Sequence, residues 1–155
     1  MENENSRKII GFDIFGKFPQ GEKLESDRHF VDQWNEQFEG EFLSKEDIYK
    51  SLEIKGIQNV QLIEGDICTT VEKYLEKHPQ TKISLLHIDV DIYEPAKVGL
   101  DKLFDRVVKG GVIVFDDYGC IEGETVAVDE FLSNREYTIR KFPFSHAKPS
   151  YIIKK

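Results

Sequence analysis

Short apolar runs alternate along the chain with stretches whose apolar residues recur at helical spacing. The runs Lys8–Phe12, Val60–Ile63, Ile83–Asp89 and Gly110–Phe115 predict strands, the last two buried on both faces. Between them, Ser44 and Asp47 resemble a capping box that opens a helix to about Ile54, ended by Gly56. Thr69 and Glu72 predict the cap of a second helix with Val71, Tyr74 and Leu75 inward. Pro95 suits the first turn of a third, in which Ala96, Leu100, Leu103 and Val107 share one stripe. Gly110-Gly111 predicts the turn into the last of these strands. Glu124–Leu132 is a further helix with Val128, Phe131 and Leu132 inward. Phe15–Gly21 is a loop by its Gly and Pro content, and Glu22–Gly40 is polar with scattered aromatics, Trp34 among them, and fits a helix. Tyr137–Phe142 and Ser150–Lys154 close the chain as two strands whose short connection makes them antiparallel.

Strands alternating with helices predict a single α/β domain over residues 1–155, Rossmann-like, with a mostly parallel, doubly wound sheet and an antiparallel strand pair at the C-terminal end. The apolar share of 39% and the 11 Phe and 6 Tyr support a packed core rather than disorder. The net charge of −8 has no basic block to offset it, which disfavours nucleic acid or an anionic membrane as partner. The polar start does not read as a signal peptide, and no apolar stretch is long enough to span a bilayer. Cys68 and Cys120 lack partners at metal-ligand spacing and read as free thiols of a cytoplasmic protein.

The chemistry concentrates where two apolar runs end in acids: Asp89-Val-Asp91 and Asp116-Asp117. Strand ends at the carboxyl edge of an open α/β sheet are where ligands bind. Adjacent edges therefore aim several carboxylates at one small volume, which requires protons or a cation, and oxygen donors of this kind suit Mg2+. The bland reading makes these acids helix caps or solvated surface, and it weighs more on Asp91 than on the others.

The order of these elements resembles a class I S-adenosylmethionine-dependent methyltransferase, and more narrowly the macrocin O-methyltransferase family, which methylates sugar hydroxyls and uses magnesium. The resemblance rests on Phe12-Asp13-Ile-Phe15-Gly16-Lys-Phe18-Pro19, Gly65-Asp66, Asp89-Val-Asp91-Ile-Tyr93-Glu94, Asp116-Asp117-Tyr118-Gly119 and Ala127–Phe131, in the family's order. It implies that Asp13 binds the cofactor ribose, that Asp66 lies near the adenine amine, and that Phe15 and Gly65 belong to the same cofactor site. It implies Asp89, Asp116 and Asp117 as Mg2+ ligands. Asp89 also matches a residue assigned as base, with His146 in a late loop as an alternative base. His87 lies inside a strand and reads as core or structural; His29 and His78 read as surface residues. Tyr93 and Tyr118 read as packing or as lining of the site.

Nothing before Asp13 supplies the family's first strand and its Gly-rich loop, so the central strand between those ending at Asp13 and Asp89 is expected to be missing. The flanking strands then pair directly, or a second copy completes the sheet as a homo-oligomer, or the sequence is a truncation. The expected activity is methyl transfer to a hydroxyl of a small-molecule acceptor. Two alternatives stay open: a non-catalytic remnant, and a magnesium-dependent phosphatase of the haloacid dehalogenase type. In the latter Asp89 is the nucleophile and Asp91 the acid/base, but that family sets its Asp-x-Asp on the first strand.

Overall fold

Four strands run parallel to their neighbours' direction of travel in two separate groups, and the gap between the groups is the main feature of the molecule. The computed structural model describes residues 7–19, 24–37, 42–143 and 149–155. In chain order these form β1 (Ile9–Asp13), α1 (Glu25–Gln37), α2 (Lys45–Ile54), β2 (Val60–Glu64), α3 (Ile67–Lys77) and β3 (Ile83–Ile88). Then come α4 (Tyr93–Leu103), a short 3-10 turn, β4 (Val107–Phe115), α5 (Glu122–Leu132), β5 (Arg140–Lys141) and β6 (Ser150–Ile153).

β1 pairs with β2 in parallel, and a second sheet has the order β3-β4-β6-β5. β3 and β4 are parallel, while β4–β6 and β5–β6 are antiparallel, as the short closing connection requires. The Rossmann-like α/β expectation holds. Of the three alternatives for the missing central strand, direct pairing of the strands that end at Asp13 and Asp89 is not seen among the described residues: β1 and β3 lie in different sheets. Their ends share a cleft, lined by Phe12 and Asp13 on one side and Asp89 and Val90 on the other.

Right-handed crossovers place the helices. The step from β1 to β2 runs away from β3, whereas the steps from β2 to β3, β3 to β4 and β4 to β5 run back across. α2 therefore lies on one face and α3, α4 and α5 on the other, where α4 packs between its two neighbours. That second face holds the core: Leu86, Ile88, Ile113, Phe115 and Ile152 of the sheet against Val71, Ala96, Leu100, Val128 and Phe131. The opposite face is apolar and largely uncovered. Register aligns Leu85, Val112 and Ile153 in one cross-strand row, with Leu85 61% and Ile153 41% exposed. Among the described residues the β3–β4–β6 sheet is thus covered by helices on one face.

Local sequence explains most element ends. Ser44 caps α2, accepting from the Asp47 amide at 3.2 Å while its hydroxyl donates to the Asp47 carboxylate at 2.6 Å. The cap of α3 is Asp66 rather than Thr69, because Asp66 Oδ1 reaches the Cys68 amide at 2.8 Å and starts the helix earlier. Gly110-Gly111 sits inside β4 instead of preceding it. The β3–β4 register shifts beside it, and a Cβ on Gly111 would stand 2.7 Å from Val107 Cγ1. This is a strand irregularity that only glycine fits.

The two faces predict opposite responses at adjacent positions. Leu86→Ala, 7% exposed in the core, should lower the unfolding free energy by about 2–5 kcal/mol. Leu85→Ala should change it by no more than about 0.5 kcal/mol. Urea unfolding of both variants checks this, and equal losses would show that the Leu85 face is covered in solution.

Candidate active site

Register delivers the acids to one level. Ile88 of β3 is opposite Phe115 of β4, and the Asp116 amide donates to the Ile88 carbonyl at 3.0 Å. The next residues along each strand are therefore Asp89 and Asp116. His87 joins them from within β3, its Nε2 lying 3.0 Å from Asp116 Oδ1. One ligand atom from each of His87, Asp89 and Asp116 falls within 4.8 Å of the others. Burial first, then the Asp116 charge, pushes the Asp89 carboxyl above its ordinary range.

A second pair lies deeper. Asp91 adopts φ 61°, a left-handed conformation that Asp tolerates and that turns the chain toward α4. Its carboxyl is pushed up to about 7 by burial and by Asp117, with which it shares a hydrogen bond. Asp117 is raised as well, by burial and by Asp116. Glu124, on the first turn of α5, is completely buried beneath this pair and is pushed up to about 8, chiefly by burial. Its Oε1 accepts from the Asp117 amide at 3.1 Å.

Of these acids, Asp89 and Asp91 border a cleft of about 540 Å3 at the carboxyl ends of β1, β2 and β3, well within the usual size of a small-molecule site. Asp13, Gly65, Asp66, Asp89 and Asp91 line it, and Phe18 and Trp34 form an aromatic wall. The Phe18 and Trp34 rings meet edge to face at 5.1 Å. Asn35 of α1 holds the Phe18 backbone from both sides, accepting from its amide at 3.2 Å and donating to its carbonyl at 3.4 Å. α1 is in turn tied to the acid loops by Asp27, buried, whose Oδ2 accepts from the Tyr93 amide at 2.8 Å at the start of α4. Gly123 permits that approach, since a Cβ there would lie 2.2 Å from Asp27 Oδ1.

The structure thus gathers Asp13, Gly65, Asp66 and Asp89 around one cleft. Asp13 Oδ1 accepts from the Phe15 amide at 2.6 Å, and the Gly65 amide donates to the Asp13 carbonyl at 2.9 Å. Phe15 itself, at φ 52°, is not among the lining residues. Asp117 faces Asp91 instead of joining Asp89 and Asp116. His146 falls in residues 144–148, outside the described residues. His87 is neither core nor buried: it is exposed and paired with Asp116. Tyr93 and Tyr118 do not line the cleft, their hydroxyls donating to Glu130 and Asp129 of α5. His29 is exposed as expected, whereas His78 is half-buried against Tyr74. Cys68 lines the cleft, but burial and the neighbouring Asp66 push its thiol up to about 11, so it is no nucleophile at neutral pH.

Sequence reasoning passed over Asp27 and Glu124 and gave Asp91, singled out by its place in Asp-x-Asp, less weight than Asp89. Asp27 contacts a backbone amide 66 residues away and carried no signal.

The family model for macrocin-O-methyltransferase (TylF) matches residues 1–141. Among solved structures, the O-methyltransferase NovP superposes with a TM-score of 0.80 at 21% identity, covering 96% of this chain and 60% of NovP. CalS11, a calicheamicin methyltransferase, superposes with a TM-score of 0.66 at 27% identity, covering 97% of this chain and 62% of its own. Another structure of that protein describes it as a TDP-rhamnose 3′-O-methyltransferase. A putative methyltransferase from Streptococcus mutans in complex with SAH shares the fold at a TM-score of 0.52 and 16% identity, over 94% of this chain and 73% of its own. The chain spans about 60% of the length of the first two. No curated protein sequence matches this chain. The family match leaves the phosphatase alternative without support.

The buried acids predict an inverted pH dependence of stability without metal. Asp91 and Glu124 hold protons in the folded chain at pH values where their ordinary values of 3.8 and 4.5 leave them ionised in the unfolded chain. Their contribution is whole below about pH 4, falls as pH rises, and is lost as pH passes through about 7 and about 8. Asp91→Asn, which keeps the left-handed turn, should therefore raise the thermal midpoint in chelator at pH 8 by about 2–4 °C, the shift produced by 1 kcal/mol in a domain of this size. At pH 3.5 it should leave the midpoint unchanged. Equal shifts at the two pH values in scanning calorimetry would contradict the assignment.

Proposed function

Because the chain belongs to the macrocin-O-methyltransferase (TylF) family, we propose that it transfers a methyl group from S-adenosylmethionine to a hydroxyl of a sugar or related natural product, with Mg2+. The observation that carries this reading is the acid-rimmed cleft at the ends of β1, β2 and β3, in which a diol-binding carboxylate, Asp13, stands opposite the Asp89–Asp91 pair.

Asp13 accepts the ribose hydroxyls of the cofactor, a charge-assisted geometry open to a carboxylate at a strand end. Gly65 and Asp66 border the adenine. S-adenosylmethionine, when bound, supplies a methyl group made electrophilic by its sulfonium. The donor set of Asp89 and Asp116 fits a hard divalent cation, because two carboxylates brought this close need a cation or a proton, and Asp89 is already raised by Asp116. Mg2+ held there would lower the pKa of the acceptor hydroxyl. His87 orients Asp116, as outer partners of metal ligands commonly do.

Asp91 is the base. It lines the cleft beside Asp89 and lies outside the donor set of His87, Asp89 and Asp116, so it can take the proton while the cation is held. Asp89, as a cation ligand, is poorly placed for that task. With S-adenosylmethionine bound, the methyl group would pass from sulfonium sulfur to the acceptor oxygen, the C–S electrons staying on sulfur, and Asp91 would take the hydroxyl proton. Trp34 and Phe18 give the acceptor an apolar wall, and positioning supplies much of the rate. CalS11, described as a sugar 3′-O-methyltransferase, supports a sugar hydroxyl as acceptor.

The partner is a small molecule. An overall charge of −8 with acids around the cleft opposes a phosphate backbone. No described helix is long and apolar enough to cross a membrane. The free thiols Cys68 and Cys120 fit a cytoplasmic setting, and the unpaired edges of β1 and β3 favour self-association. Those same edges, next to the cleft, favour a second reading in which this chain alone binds no cofactor.

Calorimetric titration of S-adenosylhomocysteine, with Mg2+ and then with excess chelator, separates the two readings. Micromolar binding is expected for the enzyme, and its absence in a folded, monodisperse sample would leave the non-catalytic reading. In a preparation that turns over, Asp91→Asn should lower kcat by about 10²–10⁴-fold with little change in cofactor affinity. Asp116→Asn should remove the response to Mg2+.

A further inference from the structure

Glu124 and Glu122 share the first turn of α5, yet Glu122 is exposed and Glu124 is completely buried. A fully buried Glu is rare unless something else requires it. The Glu124 carboxylate accepts from the Asp117 amide at 3.1 Å, and its own backbone amide donates to the Asp91 carbonyl at 3.0 Å. One residue therefore bonds both acid-bearing segments, the one leaving β3 and the one leaving β4. The carboxylate also interacts with the backbone amide of Val90, between Asp89 and Asp91. A fully buried carboxyl carries a desolvation penalty, so stability alone does not account for this side chain.

Geometry explains it. The Asp91 and Asp117 carboxylates touch, and like groups at that distance drift apart unless their backbones are held. The Asp117 amide has Glu124 as its acceptor, and Asp116 precedes it in the chain. An apolar side chain at position 124 would fill the space but leave that amide to seek another acceptor, moving the Asp116–Asp117 segment.

We propose that Glu124 is a positioning residue that holds the Asp89–Asp91 and Asp116–Asp117 segments at the spacing at which they receive a divalent cation. This rests on the reading of the acid site as a cation site. It assigns to a residue with no direct ligand role the separation between the two acid pairs. Outer partners of metal ligands typically change affinity by 10–100-fold when altered.

The test is Mn2+ affinity, read from the electron paramagnetic resonance signal of free Mn2+, together with urea unfolding in chelator. Glu124→Met keeps the volume and removes the acceptor. It should be as stable as the parent or more so, and should bind Mn2+ at least about tenfold more weakly. Glu124→Gln retains an acceptor for the Asp117 amide and should stay within about threefold of the parent, rescuing what Met loses. Glu122→Ala, on the same turn, should match the parent. Parent-like Mn2+ affinity in folded Glu124→Met would overturn the proposal, as would equal losses in Met and Gln. If Glu124→Met does not fold, amide hydrogen exchange of Asp117 in the unaltered protein decides. Strong protection supports the bond, and exchange at the free-peptide rate overturns it. If the unaltered protein binds no Mn2+, the cation reading falls, and the strut is judged by that exchange measurement alone.

Discussion

Parallel pairing of β3 and β4, in a register that ends both strands at one level, is the constraint from which the rest of the site follows. It sets Asp89 beside Asp116, and one step further it brings Asp91 against Asp117. Two ionised carboxylates 4–5 Å apart near a protein surface repel by about 3–4 kcal/mol at an effective dielectric constant of 20. The positive N-terminal ends of α4 and α5 lie immediately beyond, but a helix end offsets only about 0.3–1 kcal/mol per acid. Helix dipoles alone therefore lose to the repulsion. The balance has to come from protons, toward which burial and the neighbouring charges push Asp91 and Glu124 (to about 7 and about 8), or from a cation. The same arithmetic makes the acid pairs a poor stabilising device and a good place to put chemistry.

Much of this was legible in sequence because the signals were local. Apolar runs ending in acids located β3 and β4 and the level of the site; the stripe Ala96, Leu100, Leu103 located the buried face of α4; Ser44 located the start of α2. Errors arose where tertiary contacts outvote local pattern. Thr69 looked like the cap of α3, but Asp66, which also lines the cleft, holds that place. His87 occupies a strand position that reads as core, yet lies on the face that carries no helix, so it is exposed and free to meet Asp116. Gly110-Gly111 reads as a turn but forms an irregularity within β4, because the chain must leave the Ile83 pairing and re-enter opposite Leu85. Asp91 was underrated because an acid just ahead of a helix reads as a cap or as solvated surface. It has a left-handed backbone and meets Asp117 instead.

The two sheets divide the labour. The acid pairs stand on β3, β4, α4 and α5, which share the main core, while Asp13, Gly65 and Asp66 stand on the smaller β1–β2 sheet. No strand pairing joins them among the described residues, so their relation depends on two helices. α3 spans the gap from beneath: it packs on α4, and its Tyr74 meets Phe12 of β1 at 5.6 Å. α1 spans it from above, holding Phe18 through Asn35 and the start of α4 through Asp27. The upper bridge rests on far fewer contacts than the lower, and buried apolar area makes α3 the stiffer of the two. Asp27 fastens α1, and with it the aromatic wall of Trp34 and Phe18, to the acid loops: its carboxylate accepts from the Tyr93 amide and needs the missing Cβ of Gly123. A bulkier residue at position 123 would separate α1 from the acid loops without touching a single acid of the site.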